Sequence, residues 1–236
     1  MTPKAKSDNI TFSLDQHELS ENEQFVLDVI QEYLDKNRYF NESKIKPIVL
    51  SRVSKSSINI NKEGIKLILK SLVEKNFIVN GSKLVKEDIL KNSNRKKIYS
   101  YILEHPGTYF NKVVEKFNLS NSVVEWHISM LSKFGFIRRE KINSHEVYFS
   151  KEISKAKGKI IHLILREKCD QILKYLERNN NGHTKTYLCK ELKMHPKTIK
   201  KYLKRLIDHN VLYSNTQKNR TLYFLNYDYY QELKQA

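Results

Sequence analysis

Cysteine, proline and glycine are scarce in this chain of 236 residues, at two, four and six copies. Cys169 and Cys189 are too few and too far apart to build a disulfide framework, so both read as ordinary thiols. Six glycines leave few places for close backbone approach to a phosphate or cofactor. No glycine-rich phosphate loop, paired-cysteine zinc spacing or nucleophile motif occurs, which points away from an enzyme and from any cofactor. His183, Cys189 and His195 share one segment, but their spacing matches no zinc pattern. Long apolar runs are missing too, so no membrane span is expected, and residues 1–18 lack the apolar core of a secretory signal. That opening stretch reads as a disordered tail on a cytoplasmic protein.

Positive charge, by contrast, is abundant. There are 43 Lys and Arg against 26 Asp and Glu, a net charge of +17, which is the footprint of a polyanion binder. The excess is uneven. Residues 1–90 hold 14 basic and 13 acidic side chains, whereas residues 91–236 hold 29 and 13. A general coding bias toward lysine would raise the first third as well, and it does not. A nucleic-acid surface is therefore expected on the later two thirds.

A helix-to-turn-to-strand phrase occurs three times. It reads Ile65, Leu69, Leu72 then Asn76-Phe77-Ile78; Val124, Ile128, Leu131 then Gly135-Phe136-Ile137; and Ile199, Leu203, Leu206 then Asn210-Val211-Leu212. The offsets are constant, 59 residues from first to second copy and 75 from second to third. Spacing of i, i+4 and i+7 puts the apolar residues on one helix face. A narrow-striped helix that ends at Gly or Asn and enters a hairpin describes the third helix and wing of a winged helix-turn-helix. The spacing predicts a mainly α fold with short β-hairpins (α+β), in three tandem winged helix-turn-helix modules over residues 19–90, 91–150 and 151–236.

In the first module a helix is expected over 21–36 with Ser20 and Glu23 as a capping pair, a second after Glu42 that Pro47 either joins early or breaks, and a third over 62–75. Asn80-Gly81-Ser82 between Phe77-Ile78-Val79 and Lys83-Leu84-Val85 signals a short hairpin. With neutral charge, a short wing, and Leu67 and Ile68 on the outer face of its third helix, this module suits a protein partner or a sister chain better than DNA.

In the second module helices are expected over 94–104, 109–117 and 121–134. The face opposite the stripe offers Asn121, Ser122, Glu125, Trp126, Ser129 and Lys133, and strands over 137–142 and 146–149 carry Arg138, Arg139 and Lys141. Trp126 suits either stacking on a base or packing inside the protein, and His127 reads as a satisfied helix residue rather than a ligand. The runs His105-Pro106-Gly107, Leu119-Ser120-Asn121-Ser122, Val124-Glu125-Trp126-His127-Ile128 and Phe134-Gly135-Phe136-Ile137-Arg138-Arg139-Glu140 resemble archaeal winged-helix transcriptional regulators related to the ArsR and MarR groups. That resemblance covers roughly residues 94–150. It implies a module whose third helix enters the major groove of double-stranded DNA while its wing meets backbone or minor groove. The paired-cysteine box of metal-sensing ArsR members is absent, so no metal is implied. The wing also lacks the Gly tip common in the family.

In the third module, one long helix is expected over 160–177. Its early apolar residues have two uses, packing on the second module or pairing as a homodimer with the same helix of another chain; the first module is the other candidate dimer contact. The third helix starts at His195-Pro196 and offers Lys197, Thr198, Lys200, Lys201 and Lys204, with Lys218 and Arg220 near the wing tip. Lysine suits phosphates, whereas Arg, Asn, Gln and Ser suit base edges, so the third module is expected to supply affinity and the second, with Asn121, Ser122, Glu125 and Ser129, sequence preference. A DNA-binding transcriptional regulator leads this reading. A tandem winged-helix scaffold for protein assembly is the alternative, and RNA binding is set aside because no exposed aromatic platform is evident.

Overall fold

A computed structural model describes residues 19–142, 144–217 and 219–235. The expected tail lies outside the described residues. Helix α1 (Glu21–Lys36) opens on the expected capping box: Ser20 Oγ accepts from the Glu23 amide, and the Glu23 carboxylate accepts from the Ser20 amide at 2.8 Å. Asn41 caps α2 (Glu42–Val53), which runs straight through Pro47 rather than breaking there. Asn61 caps α3 (Lys62–Glu74), and a single turn, α4 (Lys86–Ile89), follows.

The first hairpin falls short of expectation. In place of paired strands over 77–79 and 83–85 there is one isolated bridge, Ile78 to Val85. Phe40 supplies the reason. Its amide donates to the Ser82 carbonyl at 2.8 Å and its carbonyl accepts from the Gly81 amide at 3.1 Å, so the turn's backbone is committed to the α1–α2 connection.

The next stretch holds α5 (Ser93–Glu104), β1 (Thr108–Tyr109), α6 (Phe110–Phe117), α7 (Asn121–Lys133), β2 (Ile137–Ile142) and β3 (His145–Ser150). Its strands form an antiparallel sheet in the order β1-β3-β2, with Arg139 opposite Tyr148 and Lys141 opposite Glu146. Then come α8 (Lys155–Ile164), α9 (Glu167–Arg178), β4 (His183–Thr184), α10 (Lys185–Glu191), α11 (Pro196–Asp208), β5 (Leu212–Gln217), β6 (Arg220–Leu225) and α12 (Tyr227–Lys234). Here too three strands pair antiparallel, in the order β4-β6-β5. The described chain is mainly helical with short hairpins, as the spacing predicted.

All nine stripe residues of the repeated phrase are buried. The turn residue that follows each stripe, Asn76, Gly135 or Asn210, lies in the left-handed region, with φ of 61°, 71° and 57°. Each donates its amide to the carbonyl three residues back, which closes the helix end. Asparagine tolerates this conformation better than most residues, so a chain with few glycines still ends its helices cleanly.

The expected long helix over 160–177 is two helices. Leu165 caps α8, Arg166 takes an extended conformation, and α9 starts afresh at Glu167. The chain divides into two compact units: the described residues up to Lys97 with His127–Gly135, and Ile98–Trp126 with those from Phe136 onward. In the first, Val26, Leu27, Ile30 and Leu34 of α1 join the α3 stripe in one core. Glu23 adds a polar clamp there, accepting from Ser71 at 2.6 Å and from Lys75 at 2.9 Å.

In the second unit a single core joins Val147 and Phe149 of β3, Ile160, Ile161, Leu163 and Ile164 of α8, the buried face of α9 and the stripe of α11. Helix α8 comes so close that a side chain at Gly158 would sit 3.3 Å from the Phe149 ring. Of the two uses expected for the apolar face of α8, packing on the second module is the one seen, through Val147 and Phe149, while Leu165 at its end is exposed. Helix α12, absent from the sequence reading, closes this core with Tyr230 and Leu233, while Gln231 and Lys234 donate to Glu177 at 2.8 and 3.0 Å.

Candidate nucleic-acid interface

Helix α7 buries Val124, His127, Ile128 and Leu131, so the residues between them turn outward. Asn121, Ser122 and Lys133 are exposed, Trp126 is 50% exposed, and Glu125 and Ser129 are half-buried. Burial, and then the charge of the equally buried Arg95, pull the His127 pKa below its usual value, which favours a neutral ring. Arg95 itself donates to the Ile89 carbonyl at 2.9 Å.

The arginines on β2 part company. Arg138 turns inward, where it donates to the Ile153 carbonyl, pairs with Glu140 at 3.3 Å and lies over the Phe149 ring; it acts as a brace between the hairpin and the connection to α8. Arg139 instead bridges two acids. Its Nη1 donates to Glu125 Oε1 at 2.7 Å and its Nη2 to Glu125 Oε2 at 3.2 Å, while Nε and Nη2 reach Glu146 Oε1 at 3.1 and 2.8 Å. The Tyr148 hydroxyl donates to the same Glu146 oxygen at 2.8 Å. Burial would raise the Glu146 pKa, but the hydrogen bonds from Arg139 and Tyr148 overcome it and hold the carboxyl below its usual range. Lys141 is exposed on the same strand.

Helix α11 begins with Pro196 at its first position, and His195 Nδ1 accepts from the Lys197 amide at 3.2 Å. Its stripe of Ile199, Leu203 and Leu206 is buried, so Lys197, Lys200, Lys201 and Lys204 are exposed and Thr198 is half-buried. Among the described residues none of these four lysines forms an ion pair. Arg220 is exposed at the start of β6; Lys218 lies outside the described residues. A shallow cleft beside Arg220 is lined by Lys185, Thr186, Asn219 and Thr221.

Helix α3 holds the matching place in the first repeat and differs. Lys66 and Lys70 stand within 3.8 and 3.7 Å of Glu63 and Glu74, and Leu67 is 65% exposed.

Sequence reasoning overlooked Glu146, Tyr148 and Lys185. The first two are signalled only once the β2–β3 register is known, because Arg139 faces Tyr148 and sits diagonally from Glu146. Lys185 is visible only as the first residue after a strand that pairs with the wing. The expected lack of exposed aromatics does not hold either. Tyr213 is exposed and stacks on Phe224 at 5.2 Å, and Tyr187 is exposed and stacks on His183 at 5.0 Å. His183 also engages the Asn179 carbonyl at 3.2 Å, and among the described residues no three His, Cys, Asp or Glu side chains gather as a metal site requires.

Residues 92–160 match the family HTH_HVO_0163_N, described as an N-terminal HTH domain. An uncharacterized HTH-type transcriptional regulator of Methanocaldococcus jannaschii, MJ1398, is 26% identical over 168 residues, which cover 71% of this chain and 42% of that protein. The chain thus spans less than half the length of that relative. Chains in two structures of the ESCRT-II endosomal trafficking complex align at 14% identity over 86% of this chain and 87% of theirs, with TM-scores of 0.25 and 0.24, too low to carry any statement about this one. Family match and geometry agree on a helix-turn-helix over residues 92–160. No helix among the described residues is long and apolar enough to cross a membrane.

Proposed function

We propose that this chain is a DNA-binding transcriptional regulator of the winged helix-turn-helix kind, akin to the ArsR and MarR groups, with three tandem modules. Its second and third modules contact duplex DNA through α7, α11 and the hairpins that follow them. The observation that carries this reading is the exposed row of Lys197, Lys200, Lys201 and Lys204 opposite the buried stripe of α11. A cationic helix face without acidic partners suits a phosphate backbone. The similarity to an HTH-type transcriptional regulator supports the same reading.

The division of labour follows from side-chain chemistry. On α11, lysines act as point charges and fix the protein on the backbone, aided by Arg220 and Lys218 at the wing. On α7, Asn121, Ser122, Glu125 and Ser129 are groups that read base edges, with Trp126, Lys133 and Lys141 at the margins. Arg138 is a brace rather than a contact. One core joins β3 of the second module to α8, α9 and α11, so the two later hairpins rest on shared packing. Neither cofactor nor membrane enters this reading, and it places the protein in the cytoplasm.

Leu67 favours a second role for the first module alone. An exposed leucine on a helix whose lysines are matched by acids suits a protein partner or a sister copy, not a phosphate backbone. Selection of bound duplexes from random DNA, at two salt concentrations, tests the main reading. Enrichment of a defined motif, weakening steeply with salt, is expected; recovery of random sequence, or of nothing at either salt, contradicts it. A palindromic motif would point to a two-fold dimer assembled through the first module.

A further inference from the structure

The ion pairs on α7 leave one side chain in an unusual position for a DNA binder: an acid held outward on the helix assigned to the groove. Glu125 has a side chain 46% exposed and lies in the first half of α7, the part of a recognition helix that meets base edges. An exposed carboxylate there repels phosphates, and alone it would be free to swing aside. It is not free. Both its oxygens accept from Arg139, which is fixed in turn by Glu146, which accepts from the fully buried Tyr148. The chain of hydrogen bonds runs from the core to the tip of the acid.

We infer that Glu125 reads a base edge bearing an amino group, cytosine by preference, and that Arg139 is the residue that positions it. This rests on the reading of α7 as the groove-facing helix. A carboxylate offers about four acceptor sites, so after the two bonds from Arg139 each oxygen keeps a lone pair for an outside donor. Arg139 is nearly spent: four of its five N–H groups are engaged with the two acids, leaving little for phosphate or guanine. In the major groove cytosine presents its N4 amino group alone, whereas the adenine amino group sits beside the N7 acceptor, which repels a carboxylate. Guanine and thymine present only acceptors and a methyl group there, so the acid also selects against them.

The test is duplex selection from random DNA with the full chain, its Glu125→Gln variant and its Arg139→Lys variant, each first checked for an unchanged melting temperature. The unaltered chain should favour cytosine at one position by about 5- to 150-fold, the range of a single good base contact. Glu125→Gln should lose that preference and move toward adenine, which glutamine matches with two hydrogen bonds. Arg139→Lys keeps the charge but not the fork, and should blunt the same position while leaving others intact. If Glu125→Gln does not fold, Glu125→Asp keeps the charge on a shorter arm and should blunt the preference likewise. Identical preferences in all folded variants, or a uniform loss across every position, would overturn the inference and leave the regulator reading standing. Failure of the unaltered chain to bind any duplex would overturn both.

Discussion

Helices α3 and α11 hold the same place in their repeats and bury the same three-residue stripe, yet they face solvent with opposite intent. On α3 Lys66 and Lys70 are matched by acids one turn away and Leu67 protrudes; on α11, among the described residues, Lys197, Lys200, Lys201 and Lys204 form no ion pair. The inward stripe and the left-handed turn after it specify the fold, whereas the outward face is free to specify the partner. Helix α7 takes a third course. Its acid is tied to the wing by Arg139, which holds the carboxylate in one orientation, the feature on which the proposed base reading rests.

Breaking that contrast should have graded effects. Reversing Lys197, Lys200, Lys201 and Lys204 to Glu should cost on the order of a thousandfold or more in duplex affinity by fluorescence anisotropy. Melting should change little, since all four are exposed. The matching change of Lys66 and Lys70 to Glu on α3 should alter affinity by less than about threefold; an equal loss from both helices would erase the distinction. Next in size is Ile161→Ala in the core under β3, α8 and α11, expected to cost about 2–5 kcal/mol in urea unfolding. Both later sheets should melt together in that variant, because they rest on one core.

Glu23→Gln acts on the first unit only and should cost about 1.5–3 kcal/mol. Partial burial would raise the Glu23 pKa, but hydrogen bonds from Ser71, the Ser20 amide and Lys75 hold it down to about 2. Its contribution is therefore complete above pH 4.5 and is lost as pH falls toward 2, so the acid limb of the stability curve should flatten in the variant. The smallest effect belongs to His127. Burial and the neighbouring Arg95 lower its pKa, so the folded chain favours the neutral ring and loses stability as pH drops below 6.5. The slope, read from melting at several pH values, should not exceed about 1.4 kcal/mol per pH unit, the limit for one proton.

Much of this architecture is legible in residue order. Stripes such as Ile199, Leu203 and Leu206, caps such as Ser20 with Glu23, and turn residues such as Asn210 act locally, within one or two helical turns. Elements that depend on distant partners are not. The break between α8 and α9 carries neither Pro nor Gly: Leu165 and Arg166 interrupt a run whose apolar residues on both sides, Ile160 and Ile164 before and Ile172 and Leu176 after, enter the same core. The first hairpin is undone by Phe40, which lies 41 residues before Gly81. The exposed lysines of α11 could be placed from periodicity alone, but the inward turn of Arg138 and the bridging role of Arg139 needed strand register and the path of the connection to Ile153.

The central claim is that the cationic face of α11, with its wing, grips the phosphates of duplex DNA. Salt dependence of duplex affinity, measured from 50 to 300 mM, tests it most directly. Six to eight phosphate contacts give a slope of log affinity against log salt of roughly −5 to −7. A slope shallower than about −2 would mean that the lysines do not meet the backbone, and the function proposed for this protein would then be wrong.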